Sequence, residues 1–441
     1  MKFGGTSVGS SESINKVVEI IRSEKKDKIV VLSAFSGVTN LLVEINRQYE
    51  VGNENINETI LQLEDRCLEV SKPLFKTATY LQSAENFISI KIKQIEDLIN
   101  SPFSLENTKI IIGQGELIST YIFQLYLQEI RVESELIYAL EFMKKDGFNE
   151  PDRDYIKDNI SKFIHAKSSL FITQGFICKD EGGSFSNLER GGSDYTASLI
   201  GEAIGSEEIQ IWTDIDGMHN NDPRFVENTF SLEEISFDEA AELAYFGAKI
   251  LHPQSLIPAK NNNIPVLLKN TFDSDKKGTL IKNKTKRIGV SSIAAKDGII
   301  AIKIKSYRML LAYGFLKRVF EVFETYKTPI DMITTSEVAV SLTIDNNEYL
   351  EQIVLNLQEF GAVEVDTGLS IVCVAGDFSQ NKEGVSAHVF NALNHIPIRM
   401  ISYGGSNYNV SLLVKTTDKI NALNSLNKEL FKDRVVETEV N

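Results

Sequence analysis

Two glycine-rich turns carry the residue types that hold anions. Lys2-Phe3-Gly4-Gly5-Thr6-Ser7 stands at the start of the chain and Arg190-Gly191-Gly192-Ser193-Asp194 near its middle, and each runs straight into a helix-like pattern. Glycine lets the backbone approach an anion closely, and the first N–H groups of a helix carry the positive end of its dipole. A lysine beside one turn and an arginine beside the other add full charges. Two such cradles suit two anionic groups held face to face, as phosphoryl transfer requires. Taken singly each is weaker, because glycine turns after strands are common and Asp194 is equally a plain helix cap.

Further polar residues lie at places where an α/β fold binds ligands. Ser33-Ala34-Phe35-Ser36-Gly37-Val38-Thr39-Asn40 follows an apolar run and is either a ligand-binding turn or an ordinary capped one. Glu116 follows Gly115 at the start of a helix, where it can meet a substrate ammonium or simply favour the helix dipole. Trp212-Thr213-Asp214-Ile215-Asp216-Gly217, followed by Asn221-Asp222-Pro223-Arg224, supplies carboxylates, turn residues and one arginine suited to a nucleotide with its magnesium. Lys249, in Phe246-Gly247-Ala248-Lys249-Ile250-Leu251-His252-Pro253, is a phosphate ligand or a solvated lysine. No metal ligand set is assigned, because His165, His219, His252, His388 and His395 show no metal-site spacing and the three cysteines are widely scattered.

The elements that would position these residues alternate. Ile14, Val17, Val18 and Ile21 make a helical stripe, and Ile29-Val30-Val31-Leu32 is an apolar run of the kind a strand buried on both faces shows. The strand signal recurs at Leu170-Phe171-Ile172-Thr173, Ile209-Gln210-Ile211-Trp212 and Val266-Leu267-Leu268. Strands separated by helices predict a largely parallel sheet with ligands at the carboxyl ends of its strands. Residues 51–108 are polar and helical, with Ile88, Ile92, Ile95 and Ile99 at helical spacing, and read as an insertion or lid, or as plain packing helices. From about residue 297 an internal repeat sets in: Pro329-Ile330-Asp331-Met332-Ile333 returns as Pro397-Ile398-Arg399-Met400-Ile401, Val340-Ser341-Leu342 as Val410-Ser411-Leu412, and Val319-Phe320 as Val389-Phe390. That predicts two copies of a small α+β module.

The bulk numbers agree with a soluble globular protein. A chain of 441 residues with 42 % hydrophobic and 24 % charged residues has ample core-forming material. A net charge of −15 argues against nucleic acid or an anionic membrane as the main partner. No signal peptide or membrane-length apolar run is visible, so a cytoplasmic protein with reduced thiols is expected.

Together the motifs resemble the aspartokinase family. KFGGTSV (Lys2–Val8), SGVTN (Ser36–Asn40), Gly115-Glu116, RGGSDYTA (Arg190–Ala197), WTDIDG (Trp212–Gly217), DPR (Asp222–Arg224), FGAKILHP (Phe246–Pro253) and ITTSE (Ile333–Glu337) occur in the family's order across nearly the whole chain. The resemblance implies an amino-acid-kinase fold over residues 1–290, with 51–108 inserted, then two intertwined ACT-type modules at 297–366 and 367–435. It implies transfer of the ATP γ-phosphoryl group to the β-carboxylate of L-aspartate, with Mg2+ as companion, in a homodimer or tetramer joined through the ACT modules. The monofunctional, lysine-sensitive branch is the nearest likeness, and no room for a fused homoserine dehydrogenase follows the tail.

Carried over by motif, Lys2, Gly4, Gly5 and Asp194 serve the moving phosphoryl group. Thr39, Glu116, Arg190, Gly191 and Ser193 serve aspartate. Lys2, Gly5, Ser7, Thr213, Asp214, His219, Arg224 and Lys249 serve ATP. Met309, Phe315, Leu316, Ile330, Asp331, Thr335, Ser336 and Glu337 form an effector site for L-lysine. The chain departs from the family pattern in having only Met1 ahead of Lys2, in Glu189 where glycine usually precedes the arginine, in His219 where tyrosine is common, and in Ala312 where the lysine-sensitive branch tends to serine. Two rival readings are a kinase for glutamate or acetylglutamate and a non-catalytic amino-acid sensor.

Overall fold

The computed structural model describes the chain except residues 54, 165–167, 190, 247–250, 286–288, 310–312, 379–383 and 433–441 and the side chain of residue 308. It divides into two compact units. The first comprises residues 1–218, 233–237 and 251–283, the second residues 219–232, 238–250 and 284–441.

The first unit is built on an eight-stranded sheet. In chain order its strands are β1 (Lys2–Phe3), β2 (Lys28–Leu32), β3 (Glu135–Ile137), β4 (Leu170–Gln174), then, after a small hairpin of β5 (Ile177–Lys179) and β6 (Phe185–Asn187), β7 (Ile209–Thr213), β8 (Glu234–Ser236), β9 (Val266–Asn270) and β10 (Thr279–Lys282). Their order across the sheet is β3-β4-β2-β1-β7-β9-β10-β8. The six strands from β3 to β9 are parallel, and β10 turns back against β9. Although it has two residues, β1 lies near the middle, with Lys2 opposite Val31 of β2 and Ile211 of β7. Because the neighbouring strands run the same way, the loops after β1, β2, β4, β7 and β9 gather along one edge.

Local sequence accounts for the helices around this sheet. Ser10 and Ser13 form a capping box on the helix Ser11–Ser23, which buries Ile14, Val17, Val18 and Ile21. The helices Ile56–Ser71 and Ala78–Ile99 send Leu63, Cys67, Val70, Ile88, Ile92 and Ile95 into the same core as Phe3 and Leu32. Residues 51–108 are thus packing helices that complete the core. Burial pushes the thiols of Cys67 and Cys178 up to about 12, so both stay protonated and act as apolar groups. No helix of the described residues is long and apolar enough to cross a membrane.

The second unit holds a six-stranded antiparallel sheet of order β12-β13-β11-β14-β16-β15. Here β11 (Gly289–Lys305) and β14 (Ala362–Asp377) are long partners, joined from Gly289 opposite Asp377 to Lys305 opposite Ala362. The repeat seen in sequence occupies the two halves of this ribbon. One half pairs with β13 (Ala339–Ile344), which pairs in turn with β12 (Ile333–Thr335), and packs the helix Phe315–Thr325 through Val319. The other pairs with β16 (Asn409–Lys415), which pairs in turn with β15 (Met400–Tyr403), and packs the helix Val385–Ala392 through Val389. The modules are therefore interleaved in the chain, since the strand that starts at Gly289 belongs to the second module before the first begins. Residues 219–232 fall in this unit although they lie within residues 1–290, because Val226 and Phe230 pack into its core.

Candidate active site

The residues along the carboxyl edge of the parallel strands form one constellation. Phe3 stacks on Trp212 with ring centroids 5.9 Å apart, which fixes β1 against β7 just where the glycine turn begins. Gly4 N–H donates to Trp212 O at 3.1 Å and Ser7 N–H to Gly4 O at 3.0 Å, so the turn folds tightly over the strand end. Ser7, fully buried, shares a hydrogen bond of 2.7 Å between its Oγ and Thr271 Oγ1 beyond β9. The Lys2 side chain passes over Gly4, and its ammonium lies 2.8 Å from Asp194 Oδ1, both side chains being mostly buried. Lys2 comes from the first strand and Asp194 from a helix 190 residues on, so this ion pair joins the two glycine turns.

Asp194 stands in the first turn of the helix Gly192–Ile204. No side chain caps that helix, which leaves its N-terminal N–H groups for a ligand. Gly191 holds the entrance with φ of 73°, and a Cβ there would meet His252 Cβ at 2.5 Å. Beside it Ser193 presses on Gly175, the residue after β4. A Cβ on Gly175 would lie 2.5 Å from Ser193 Cβ and 2.8 Å from its Cα, so only glycine lets the helix start reach the strand end. Thr39, exposed, lies in the first turn of the helix Val38–Val51, whose Gly37 cap again lacks a capping side chain. Thr213 ends β7 and its hydroxyl donates to Asp214 Oδ1 at 3.1 Å, with the Asp214 side chain open to solvent.

Glu116 corrects an expectation. It is not at the start of a helix but midway along Leu105–Glu129, because Gly113 and Gly115 continue the helix instead of breaking it. Both are packed against neighbours, Gly115 so closely that a Cβ would sit 2.8 Å from Ala34 Cβ. That contact brings Glu116 beneath the loop after β2, where Ala34 N–H donates to its Oε1 at 3.4 Å. Burial pushes the Glu116 carboxyl up to about 8, against the smaller pull of the backbone N–H groups and the Lys2 charge.

Other assigned residues stand elsewhere. Arg190 and Lys249 lie outside the described residues, as does Ala312. His219 and Arg224 belong to the second unit; Arg224 is exposed and paired with Asp222 at 2.6 Å. Glu189 accepts a hydrogen bond of 3.0 Å from Asn149 Nδ2 at the surface. Among the effector positions, Met309 and Ile330 pack against the first module's core and Phe315 is buried within it, while Leu316, Thr335, Ser336 and Glu337 are exposed. Asp331 is almost fully buried, and its Oδ1 accepts from Lys296 Nζ and Tyr245 Oη, each at 2.8 Å. Burial works against the Lys296 charge, but Asp331 and Asp345 outweigh it and raise its pKa.

Several partners escaped the sequence reading. Gly175 was findable as a glycine directly after a buried strand, and so was Arg66, which donates to the Ser36 and Gly9 carbonyls, as a charge on the otherwise apolar stripe of Leu63, Cys67 and Val70. Tyr245 and Lys296 meet Asp331 from 86 and 35 residues away, a pairing no local pattern encodes.

Comparison with known proteins agrees with this geometry. The amino acid kinase family model matches residues 1–270 and an ACT domain model residues 372–430. The chain is 33 % identical to lysine-sensitive aspartokinase 3 of Escherichia coli, over 98 % of each chain. The structure of E. coli aspartokinase III in complex with aspartate and ADP superimposes with a TM-score of 0.85, at 33 % identity over 98 % of this chain and 99 % of that one. The same enzyme in complex with lysine and aspartate gives 0.82, at 34 % identity and 98 % of each chain. With kinase fold, glycine turns and paired ACT-type modules in one order over the full match, the chain belongs to the aspartokinase family.

Proposed function

We propose that this chain transfers the γ-phosphoryl group of ATP to the β-carboxylate of L-aspartate, giving 4-phospho-L-aspartate and ADP. The observation that carries the reading is the Lys2–Asp194 ion pair, set between a glycine turn and an uncapped helix N-terminus at the carboxyl edge of the sheet. A β-carboxylate oxygen attacks the γ-phosphorus, the bond to the bridging oxygen breaks, and ADP leaves. The carboxylate is already ionised near neutral pH, so no general base is required. The protein's task is alignment and charge neutralisation.

In this reading Lys2 and the Gly4-Gly5 backbone stabilise the charge on the moving group, and Asp194 orients the lysine. The open N–H groups before Gly192 and Ser193, with Thr39, position aspartate, and Arg190 clamps its α-carboxylate bidentately. Gly5, Ser7, Thr213 and Asp214 serve the nucleotide. Asp214, whose carboxylate is open to solvent, would help hold Mg2+, a hard cation that suits oxygen donors and would supply charge neutralisation. The test is a hydroxylamine trap: with Mg-ATP and L-aspartate the enzyme forms aspartyl hydroxamate, with L-glutamate or N-acetyl-L-glutamate it forms none. Hydroxamate from neither aspartate nor the analogues overturns the reading.

Glu116 receives the substrate ammonium. Raised to about 8, it is largely protonated at pH 7 in the free enzyme, and the arriving cation drives the proton off. The charged form binds, so affinity is full above that pKa and falls as pH drops through it. The KM for aspartate is expected to rise from pH 8 to pH 6, approaching about tenfold per pH unit. Glu116→Gln should raise KM at pH 8 and flatten this slope; an unchanged slope in that variant assigns the titration elsewhere.

L-Lysine inhibits the enzyme through the ACT region in the same reading. Among the described residues nothing hydrogen-bonds the buried Oδ2 of Asp331, which is an acceptor for an ammonium. Saturating L-lysine is expected to lower the rate or raise the KM for aspartate at least several-fold, in keeping with coupling of about 1–3 kcal/mol between sites. Rates that do not respond to lysine remove the regulatory part of the proposal and leave the catalytic part standing.

A further inference from the structure

Arg66 belongs to the helix Ile56–Ser71, in the segment that sequence alone reads as packing or lid. Its neighbours Leu63, Cys67 and Val70 on the same stripe are buried apolar residues, while its own side chain is about a quarter exposed and its guanidinium is not spent on a carboxylate alone. Nε donates to Ser36 O at 3.0 Å and Nη2 to Gly9 O at 2.7 Å, while Nη1 pairs with Glu69 at 2.6 Å. Gly9 ends the glycine turn that follows Lys2, and Ser36 lies in the loop that leads to Thr39. One fork of one side chain therefore grips the carbonyls of both loops.

We propose that Arg66 is a positioning residue for phosphoryl transfer, fixing the loop that follows Lys2 and the loop that precedes Thr39 in one spacing. The proposal rests on the kinase reading above. The planar guanidinium sets the distance between the two carbonyls, which the ammonium of a lysine, a point charge, does not. The loops meet directly as well: Ser36 N–H donates to Gly5 O at 3.1 Å, and a Cβ on Gly9 would lie 2.9 Å from Ser36 Cβ. In a trans peptide the N–H points opposite to the C=O. Holding Ser36 O thus aims the Gly37 N–H away from Arg66, at the start of the helix that carries Thr39 and has no side-chain cap. Arg66 touches neither substrate; it acts through the backbone that does.

The experiment compares Arg66→Ala, Arg66→Lys and Glu69→Gln with the wild type, reading aspartyl hydroxamate formation and backbone hydrogen exchange. Misplaced loops act on the transition state, so Arg66→Ala is expected to lower kcat about 100-fold while the KM for aspartate and for ATP each move less than about threefold. Arg66→Lys should lose nearly as much, added guanidinium ion should restore part of the rate to the alanine variant alone, and Glu69→Gln should stay near wild type. Exchange in residues 4–9 and 33–40 should quicken together in Arg66→Ala, with β4 unchanged. A kcat within about threefold of wild type in both Arg66 variants overturns the proposal. So does a loss of rate with unchanged exchange in the two loops. A wild-type enzyme that forms no hydroxamate overturns the kinase reading instead, and the exchange measurement then still decides whether Arg66 couples the loops.

Discussion

Lys2→Met is expected to lower kcat about a thousandfold or more with little change in the KM for aspartate, because the ammonium acts on charge that develops as the phosphoryl group moves. Lys2 is held from three sides. Its strand lies between β2 and β7, and its ammonium lies over Gly4 and meets Asp194 at 2.8 Å. Methionine keeps the stem and removes the charge. The variant also leaves the mostly buried Asp194 without its cation, which costs about 1–3 kcal/mol of stability. A thermal melt distinguishes that loss from unfolding, and Lys2→Met with Asp194→Asn should recover stability but not rate. Near-normal kcat in a folded Lys2→Met enzyme would remove this lysine from the chemistry.

Gly175→Ala should also be damaging, though less so, and residue 175 touches no assigned ligand. A single methyl there would lie 2.5 Å from Ser193 Cβ and must push back the start of the helix Gly192–Ile204. That start supplies the open N–H groups and carries Asp194, so both the proposed aspartate cradle and the partner of Lys2 move. A displacement of about 1 Å is worth roughly 100-fold in rate. The expected result is a drop of that size in kcat/KM for aspartate, together with a lower Tm from the overpacked contact. Steady-state kinetics and calorimetry on the variant check it, and an unimpaired enzyme would mean that the helix start is not placed by this contact.

What was legible in the sequence, and what was not, follows from the range of the interactions. The parallel strands and the helix Ser11–Ser23 could be read because burial on both faces, or on one stripe, leaves a local periodicity. The interleaved modules were visible as a repeat, since Pro329–Ile333 and Pro397–Ile401 echo one another. The glycine turns were legible as motifs in their own residues, and the fold joins them through Lys2 and Asp194. Glu116 was misplaced within its helix because Gly113 and Gly115 look like breaks, yet tertiary packing overrides their weak helix propensity. Gly175, Arg66 and the Lys296–Asp331–Tyr245 cluster gain their meaning from partners that only the folded chain brings near.

The long ribbon of β11 and β14 also sets a timetable for synthesis. Gly289 pairs with Asp377, so the first half of β11 waits for a partner 88 residues further along the chain. At about 5–20 residues per second, a ribosome takes several seconds to deliver it. Throughout that interval the nascent chain carries an unpaired strand bearing Ile293 and its apolar neighbours, an edge open to mispairing with another copy. The first module, closed by the nearer half of β14, can form before the second, and a ribosome stalled between them releases a chain with one finished module and one orphan strand.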